Sequence, residues 1–185
     1  YRPLMAGLAG KVILPPSDTA FCQWHFGTEA LDIASAQVPC HDVLVAVVGM
    51  VGLGSVLGAR RTNKRVLLAN KEALVAGGQL VMDCCSTDPE NPTLLPVDSE
   101  HSAVYQCLMA SRGNAFDRII LTASGGPFRG WPKARMDKAR VEEALRHPTW
   151  RMGEKITIDS ASLFNKALEI IEAKWLFGAR PEQIE

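Results

Sequence analysis

The sequence has no excess of charge of either sign. Twenty Lys and Arg stand against twenty Asp and Glu, which removes the electrostatic reason to expect nucleic acid or an anionic membrane as the main partner. An anion that binds must be caught locally. No apolar run approaches the roughly 20 residues of a membrane span, and Tyr1 to Pro16 lacks the charged start and small-residue cleavage site of a secretory leader. The chain begins without methionine, so its first residue need not be the first of the gene. Cysteine is scarce and odd in number (Cys22, Cys40, Cys84, Cys85, Cys107), and neither these nor the four histidines fall at zinc-site spacings. A reducing, cytosol-like compartment fits best. Internal repeats and low-complexity tracts are absent.

What remains is a chain of 185 residues, 47% apolar, enough to bury the core of one comfortable domain or two small ones. Asp42 to Val48 is a continuous apolar run rich in β-branched residues, read as a strand buried on both faces and ended by Gly49. A helical stretch from Gly52 to Arg61 and a second strand, Arg65 to Leu68, complete the spacing of a βαβ unit with a right-handed crossover. A helix from about Lys71 to Cys85 follows, broken at Gly77-Gly78. The polar loop Ser86 to Pro92 then precedes a change of domain or layer. Further on the pattern predicts a strand at Thr93 to Val97, a helix at Ser102 to Met109 and a strand at Arg118 to Ala123. A charged helix at Met136 to Arg146, a strand at Lys155 to Ile158 and a long helix at Ala161 to Phe177 complete the reading. Another strand is expected to begin around Pro181 to Glu185.

Asp98 and Glu100 stand two apart at the end of the Leu94 to Val97 strand, where period-two geometry would aim both carboxylates one way. One more oxygen ligand would complete a clamp for a divalent metal, and Glu169 supplies it if the long helix passes the same point. The pair also fits a solvated loop or helix start. Ser160 sits where the N-cap of the long helix belongs, with Asn165, Lys166 and Glu169 one to two turns in. Free N–H groups, a hydroxyl, an amide and an ammonium make a phosphate seat, and the same residues also fit a capped surface helix. Ser124-Gly125-Gly126 offers a second cradle or a plain turn. Lys71 follows a buried strand, placing an ammonium at the carboxyl end of a parallel sheet. His147, before a proline and near Trp150, suits a lid whose indole closes over a ligand. Gly49-Met-Val-Gly52-Leu-Gly54 is inverted relative to the dinucleotide fingerprint and is not read as a phosphate loop.

Leu68 to Glu72 (LANKE), Leu95 to His101 (LPVDSEH), Thr122 to Phe128 (TASGGPF), His147 to Gly153 (HPTWRMG) and Ile158 to Glu169 (IDSASLFNKALE) together resemble the 1-deoxy-D-xylulose-5-phosphate reductoisomerase family in order and spacing. The resemblance runs from about Val43 to Glu185 and covers the middle of the family's chain. It implies an α/β fold: a parallel-sheet, Rossmann-type NADPH-binding part over residues 1–96, then an α+β catalytic domain over 97–185, both incomplete. By the same resemblance Asp98, Glu100 and Glu169 hold Mg²⁺ or Mn²⁺. Ser124, Ser160, Asn165 and Lys166 form the phosphate pocket, with His147 also at the substrate, and Lys71 and Ser99 contact substrate hydroxyls. Asn70, Glu72 and Gly153 lie near NADPH, and Trp150 and Met152 belong to a lid. The implied reaction is a retro-aldol and re-aldol rearrangement followed by reduction with NADPH to 2-C-methyl-D-erythritol 4-phosphate. The implied partners are a sugar phosphate, with no nucleic acid and no membrane, and a second copy in a homodimer of the full-length protein. The implied location is the bacterial cytoplasm, or a plastid for a plant or algal source. Two rivals are a related oxidoreductase acting on another sugar phosphate and a truncated piece that binds metal and phosphate without turnover. The family's amino-terminal Gly-rich dinucleotide loop and carboxyl-terminal helical domain are not found in these residues.

Overall fold

The computed structural model describes residues 27, 29–86, 88, 90–111 and 114–185; Tyr1 to Pro16 and Cys22, read above from sequence, lie outside them. The elements in chain order are α1 (Glu29–Gln37), β1 (Asp42–Val45), α2 (Val51–Arg61), β2 (Arg65–Leu68), α3 (Lys71–Met82), β3 (Leu94–Pro96) and α4 (Ser99–Ala110). Short helices α5 (Lys133–Met136) and α6 (Val141–Ala144) follow, then α7 (Glu154–Ala161), α8 (Phe164–Phe177) and a 3₁₀ turn at Pro181–Gln183.

The strands form one parallel sheet in the order β1-β2-β3, with Val43 opposite Val66 and Val66 opposite Leu94. Each connection is a helix, as parallel neighbours require. The core joins Val45, Val66, Leu68 and Leu94 of the sheet to Val56 of α2, Leu74 and Val81 of α3, and Leu176 of α8. All lose essentially all contact with water, worth about 1.5–3 kcal/mol for each large side chain. Lys64, before β2, is buried and donates to the carbonyls of Ser35, Ala36 and Val38, satisfying acceptors at the end of α1.

Several expectations need correction. Helix α3 runs unbroken through Gly77-Gly78. A Cβ on Gly77 would come 2.6 Å from Leu53, and one on Gly78 would come 2.0 Å from the Trp175 ring, so the pair lets α2 and α8 approach rather than ending the helix. The loop after α3 returns to the same sheet, because β3 pairs with β2. The expected strand at Arg118 to Ala123 is reduced to one parallel bridge between Ile119 and Ile184. The single helix expected at Met136 to Arg146 is replaced by two short ones, α5 ending at Met136 and α6 at Val141–Ala144. Lys155 to Ile158 is helical despite its β-branched residues: the Gly153 carbonyl takes hydrogen bonds from both the N–H and the hydroxyl of Thr157, and Thr157 is buried. Tertiary packing overrides the strand propensity. The long helix starts three residues later than expected, because Leu163 adopts φ +60° and separates α7 from α8.

Candidate active site

Three elements bring the acidic residues together. Asp98 is not the end of a strand but the N-cap of α4, accepting from the Ser99 N–H at 2.9 Å, and Glu100 lies in that helix's first turn. Helix geometry, not strand alternation, therefore sets the Asp98–Glu100 relationship. Glu169 comes in from α8, 1% exposed, and one carboxylate oxygen from each of the three lies within 4.8 Å of the others. Three hard oxygen donors at this spacing suit Mg²⁺ or Mn²⁺ and leave positions for substrate oxygens. Asp98 Oδ2 is buried and, apart from the Lys71 ammonium beside it, has no polar partner of good hydrogen-bond geometry. The residues fit the ion.

Two ammonium groups balance this negative charge. Lys71, the first residue of α3, places Nζ 2.8 Å from Asp98 Oδ2 and 3.5 Å from Glu169 Oε1, and donates to Asn165 Oδ1 at 2.8 Å. Burial works against its charge, but the Asp98 and Glu169 carboxylates prevail and hold its pKa above the ordinary lysine value. Lys166 donates to Glu100 Oε1 at 3.3 Å and also to Glu169 and the Thr122 carbonyl. Glu100, too, is opposed by burial, yet the Ser99 hydroxyl and Lys166 keep it below the usual carboxylate range. Asn165 donates its amide to Glu169.

Behind the trio lie two buried residues that sequence reasoning missed. His101 and Glu172 are both 0% exposed; His101 Nδ1 stands 3.6 Å from Glu172 Oε2 and 3.8 Å from Asp98 Oδ2. Burial, then the Asp98 charge, pushes the Glu172 carboxyl up to about 8. Burial likewise lowers His101. The available signals were position and period: His101 follows Glu100 directly, and Glu172 is one helical turn beyond Glu169.

The anion seats are adjacent. Ser124, Gly125, Gly126, Ser160, Asn165 and Lys166 line one narrow cleft of about 40 Å³. Ser160 is no N-cap; it lies in α7 with its hydroxyl donating to the Ile156 carbonyl. Gly126 has φ +65°, and a Cβ there would sit 2.1 Å from the Ser160 carbonyl oxygen, so only glycine allows the loop to lie against α7. His147 Nδ1 accepts the N–H groups of Thr149 and Trp150 at 3.1 and 2.9 Å. In a neutral ring the proton is therefore on Nε2, which donates to Ser124 Oγ at 3.0 Å and leaves the serine hydroxyl hydrogen free for an anion. A cavity of about 700 Å³ joins the carboxylates to Ser124, Trp150 and Met152. Trp150 is 60% exposed.

Glu72 and Gly153 face a neighbouring cavity, whereas Asn70, 1% exposed, does not line it. Glu72 and Gly153 line about 300 Å³ together with Val47, Val48, Lys71 and Ile156. Asn70 caps α3: its side chain accepts from the Ala73 N–H and donates to the carbonyls of Val47 and Gly49. That side chain is fully engaged in holding the β1 end against α3. Among the described residues no helix is long and apolar enough to cross a membrane.

Two family models match in succession: 1-deoxy-D-xylulose 5-phosphate reductoisomerase over residues 13–78, and the C-terminal domain of the same enzyme over residues 94–177. A relative of that name from Protochlamydia amoebophila is 49% identical over 159 residues, covering 86% of this chain and 41% of its own length. One from a Synechococcus strain is 44% identical over 191 residues, covering 100% of this chain and 48% of its own. Among solved structures, the reductoisomerase from Zymomonas mobilis in complex with NADPH matches with TM-score 0.75 and 40% identity, over 100% of this chain and 44% of that one. A reductoisomerase in complex with NADPH, fosmidomycin and magnesium matches with TM-score 0.76 and 42% identity, over 85% and 41%. The chain thus spans less than half the length of these relatives.

Proposed function

Given that this chain belongs to the 1-deoxy-D-xylulose 5-phosphate reductoisomerase family, we propose that its protein converts 1-deoxy-D-xylulose 5-phosphate to 2-C-methyl-D-erythritol 4-phosphate in the non-mevalonate isoprenoid pathway. NADPH and Mg²⁺ or Mn²⁺ are its cofactors. The observation that carries this reading is the convergence of Asp98, Glu100 and Glu169 within 4.8 Å, next to the cleft of Ser124, Asn165 and Lys166.

Asp98, Glu100 and Glu169 would hold the metal, which when bound supplies Lewis-acid stabilisation of negative charge on the substrate's oxygens. Lys71 stays charged beside Asp98 and is placed to hydrogen-bond a substrate hydroxyl, with Ser99 next to it. Ser124, oriented by His147, joins Ser160, Asn165 and Lys166 in holding the phosphate end. Binding energy from that non-reacting group then positions the reacting carbons. Trp150 and Met152 line the larger cavity from an irregular segment and would exclude water by closing over the substrate. Glu72 and Gly153 would border the reduced nicotinamide ring. Residues 1–96 would form the NADPH-binding part and 97–185 the metal- and substrate-binding part; the parallel sheet ending at Pro96 supports this division. For the whole protein, family membership supports a homodimer in the cytoplasm, or in a plastid for a plant source.

The test is NADPH oxidation by the natural gene product. It is expected only when the pentulose phosphate and Mg²⁺ or Mn²⁺ are both supplied. Consumption that persists in excess chelator rejects the metal role.

A further inference from the structure

The ammonium of Lys155 joins two parts of the structure that are distant in sequence. It stands 3.0 Å from Glu72 Oε1, in the first turn of α3, and 2.6 Å from Asp159 Oδ2, one turn along its own helix α7. The two carboxylate side chains are only 18% and 17% exposed, and among the described ion pairs Lys155 is the one cation that reaches either. Glu72 in turn accepts from Asn70 Nδ2 at 3.3 Å, and Asn70 holds the carbonyls of Val47 and Gly49 beyond β1. A continuous polar chain therefore runs from the end of β1 through Asn70, Glu72 and Lys155 to α7.

We infer that Lys155 is a positioning residue: it fastens the base of the His147–Gly153 segment to the start of α3 and so fixes the cavity in which the nicotinamide ring is placed. This rests on the NADPH-dependent function proposed above. Lys155, Glu72 and Asp159 all line the cavity of about 300 Å³, which also contains Lys71 and Asn165 of the carboxylate cluster. A change in the Lys155–Glu72 distance changes the width of that cavity and the offset between cofactor and metal centre. Asp159 could satisfy Lys155 as an ordinary pair within one helix. The second contact across to Glu72 is what couples the two parts. Because Asp159 already restrains the lysine, less side-chain freedom is lost in reaching Glu72. The mutual charge effect agrees: the Asp159 and Glu72 carboxylates raise the Lys155 ammonium, and Lys155, against burial, lowers Glu72.

The experiment titrates NADPH into the natural protein and its Lys155→Met and Lys155→Arg variants, following fluorescence of the reduced ring without turnover. Steady-state kinetics are measured in parallel. Lys155→Met is expected to weaken NADPH binding about tenfold, a factor equal to about 1.4 kcal/mol. The Michaelis constant for the sugar phosphate should stay within about twofold, since neither Lys155 nor Glu72 lines the cleft that holds its phosphate end. Lys155→Arg, whose fork can span both carboxylates, is expected to regain most of the affinity. A merely structural lysine would lower the melting temperature of Lys155→Met and leave NADPH affinity unchanged, and that result overturns the inference alone. Failure of the unaltered protein to bind NADPH overturns the proposed function and this inference with it.

Discussion

His101 Nε2 lies 2.9 Å from the backbone carbonyl of Glu169, a buried hydrogen bond that ties the first turn of α4 to the middle of α8. A carbonyl can only accept, so the neutral imidazole carries its proton on Nε2 and turns a lone pair on Nδ1 towards Glu172. The Glu172 carboxyl, pushed up to about 8 by burial and the neighbouring Asp98, stands 3.6 Å from that nitrogen, beyond hydrogen-bond reach, and neither of its oxygens has a hydrogen-bond partner. The start of α4, which carries Glu100, is thereby held in register with Glu169 on α8 through an imidazole that burial keeps from charging.

From this follows a pH dependence. Burial lifts the native-state pKa of Glu172 above the ordinary carboxylate range, so the folded protein binds that proton more tightly than the unfolded one. The stabilisation is complete below the unfolded pKa and is lost as pH rises to about 8. In metal-free urea melts, the natural protein should lose stability across that window relative to Glu172→Gln, with a slope of up to about 1.4 kcal/mol per pH unit. Parallel curves for the two proteins would show that Glu172 does not hold a proton.

Glu169→Gln should abolish divalent-metal binding in calorimetry. Turnover should fall by about two orders of magnitude or more while circular dichroism stays native. The amide keeps the shape and the Asn165 contact but loses the charge that makes the three-oxygen clamp. Unchanged Mn²⁺ affinity would remove Glu169 from the ligand set.

Lys166→Ala should act chiefly on the Michaelis constant for the sugar phosphate, raising it about tenfold, as expected for a hydrogen bond to a charged group worth about 1.5–3 kcal/mol. The residue lines the cleft with Ser124 and Asn165. An unaltered Michaelis constant would refute its assignment to the phosphate.

Gly126→Ala should cost about 1–3 kcal/mol in denaturant melts from backbone strain alone, because its φ of +65° suits glycine, with a further cost from the Cβ pressing on the Ser160 carbonyl. Phosphate-end affinity should fall with it. A stable variant with full affinity would mean that the loop can move away from α7 without consequence.

The sheet was legible because Asp42 to Val48 and Arg65 to Leu68 are apolar runs separated by a helix-length segment, but burial on both faces was not: β1 ends at Val45, and Leu44 is 59% exposed. The elements around the cleft were not. Ile156-Thr157-Ile158 has the composition of a strand, and the burial of Thr157 that goes with its helical course is not contained in that composition. The pairing of Asp98 with Glu100 was expected from strand alternation and arises instead at a helix start, so the nearness was anticipated for a different geometric reason. That Glu169 meets them depended on the path of α8, which no local spacing contains. Glu172 was passed over because a buried acid one turn further on cannot be told from an exposed one without knowing what packs against it.

The left-handed turn at Leu163 has an implication for engineering. A branched side chain at φ +60° carries a penalty of roughly 1–2 kcal/mol that glycine would not. Because the residue is 52% exposed, Leu163→Gly is expected to relieve that penalty at the cost of the packing its buried half makes beside the anion cleft. The same change would soften the corner that fixes the angle between Ser160 on one side and Asn165 to Glu169 on the other, so a more heat-resistant protein could grip its ligand more loosely.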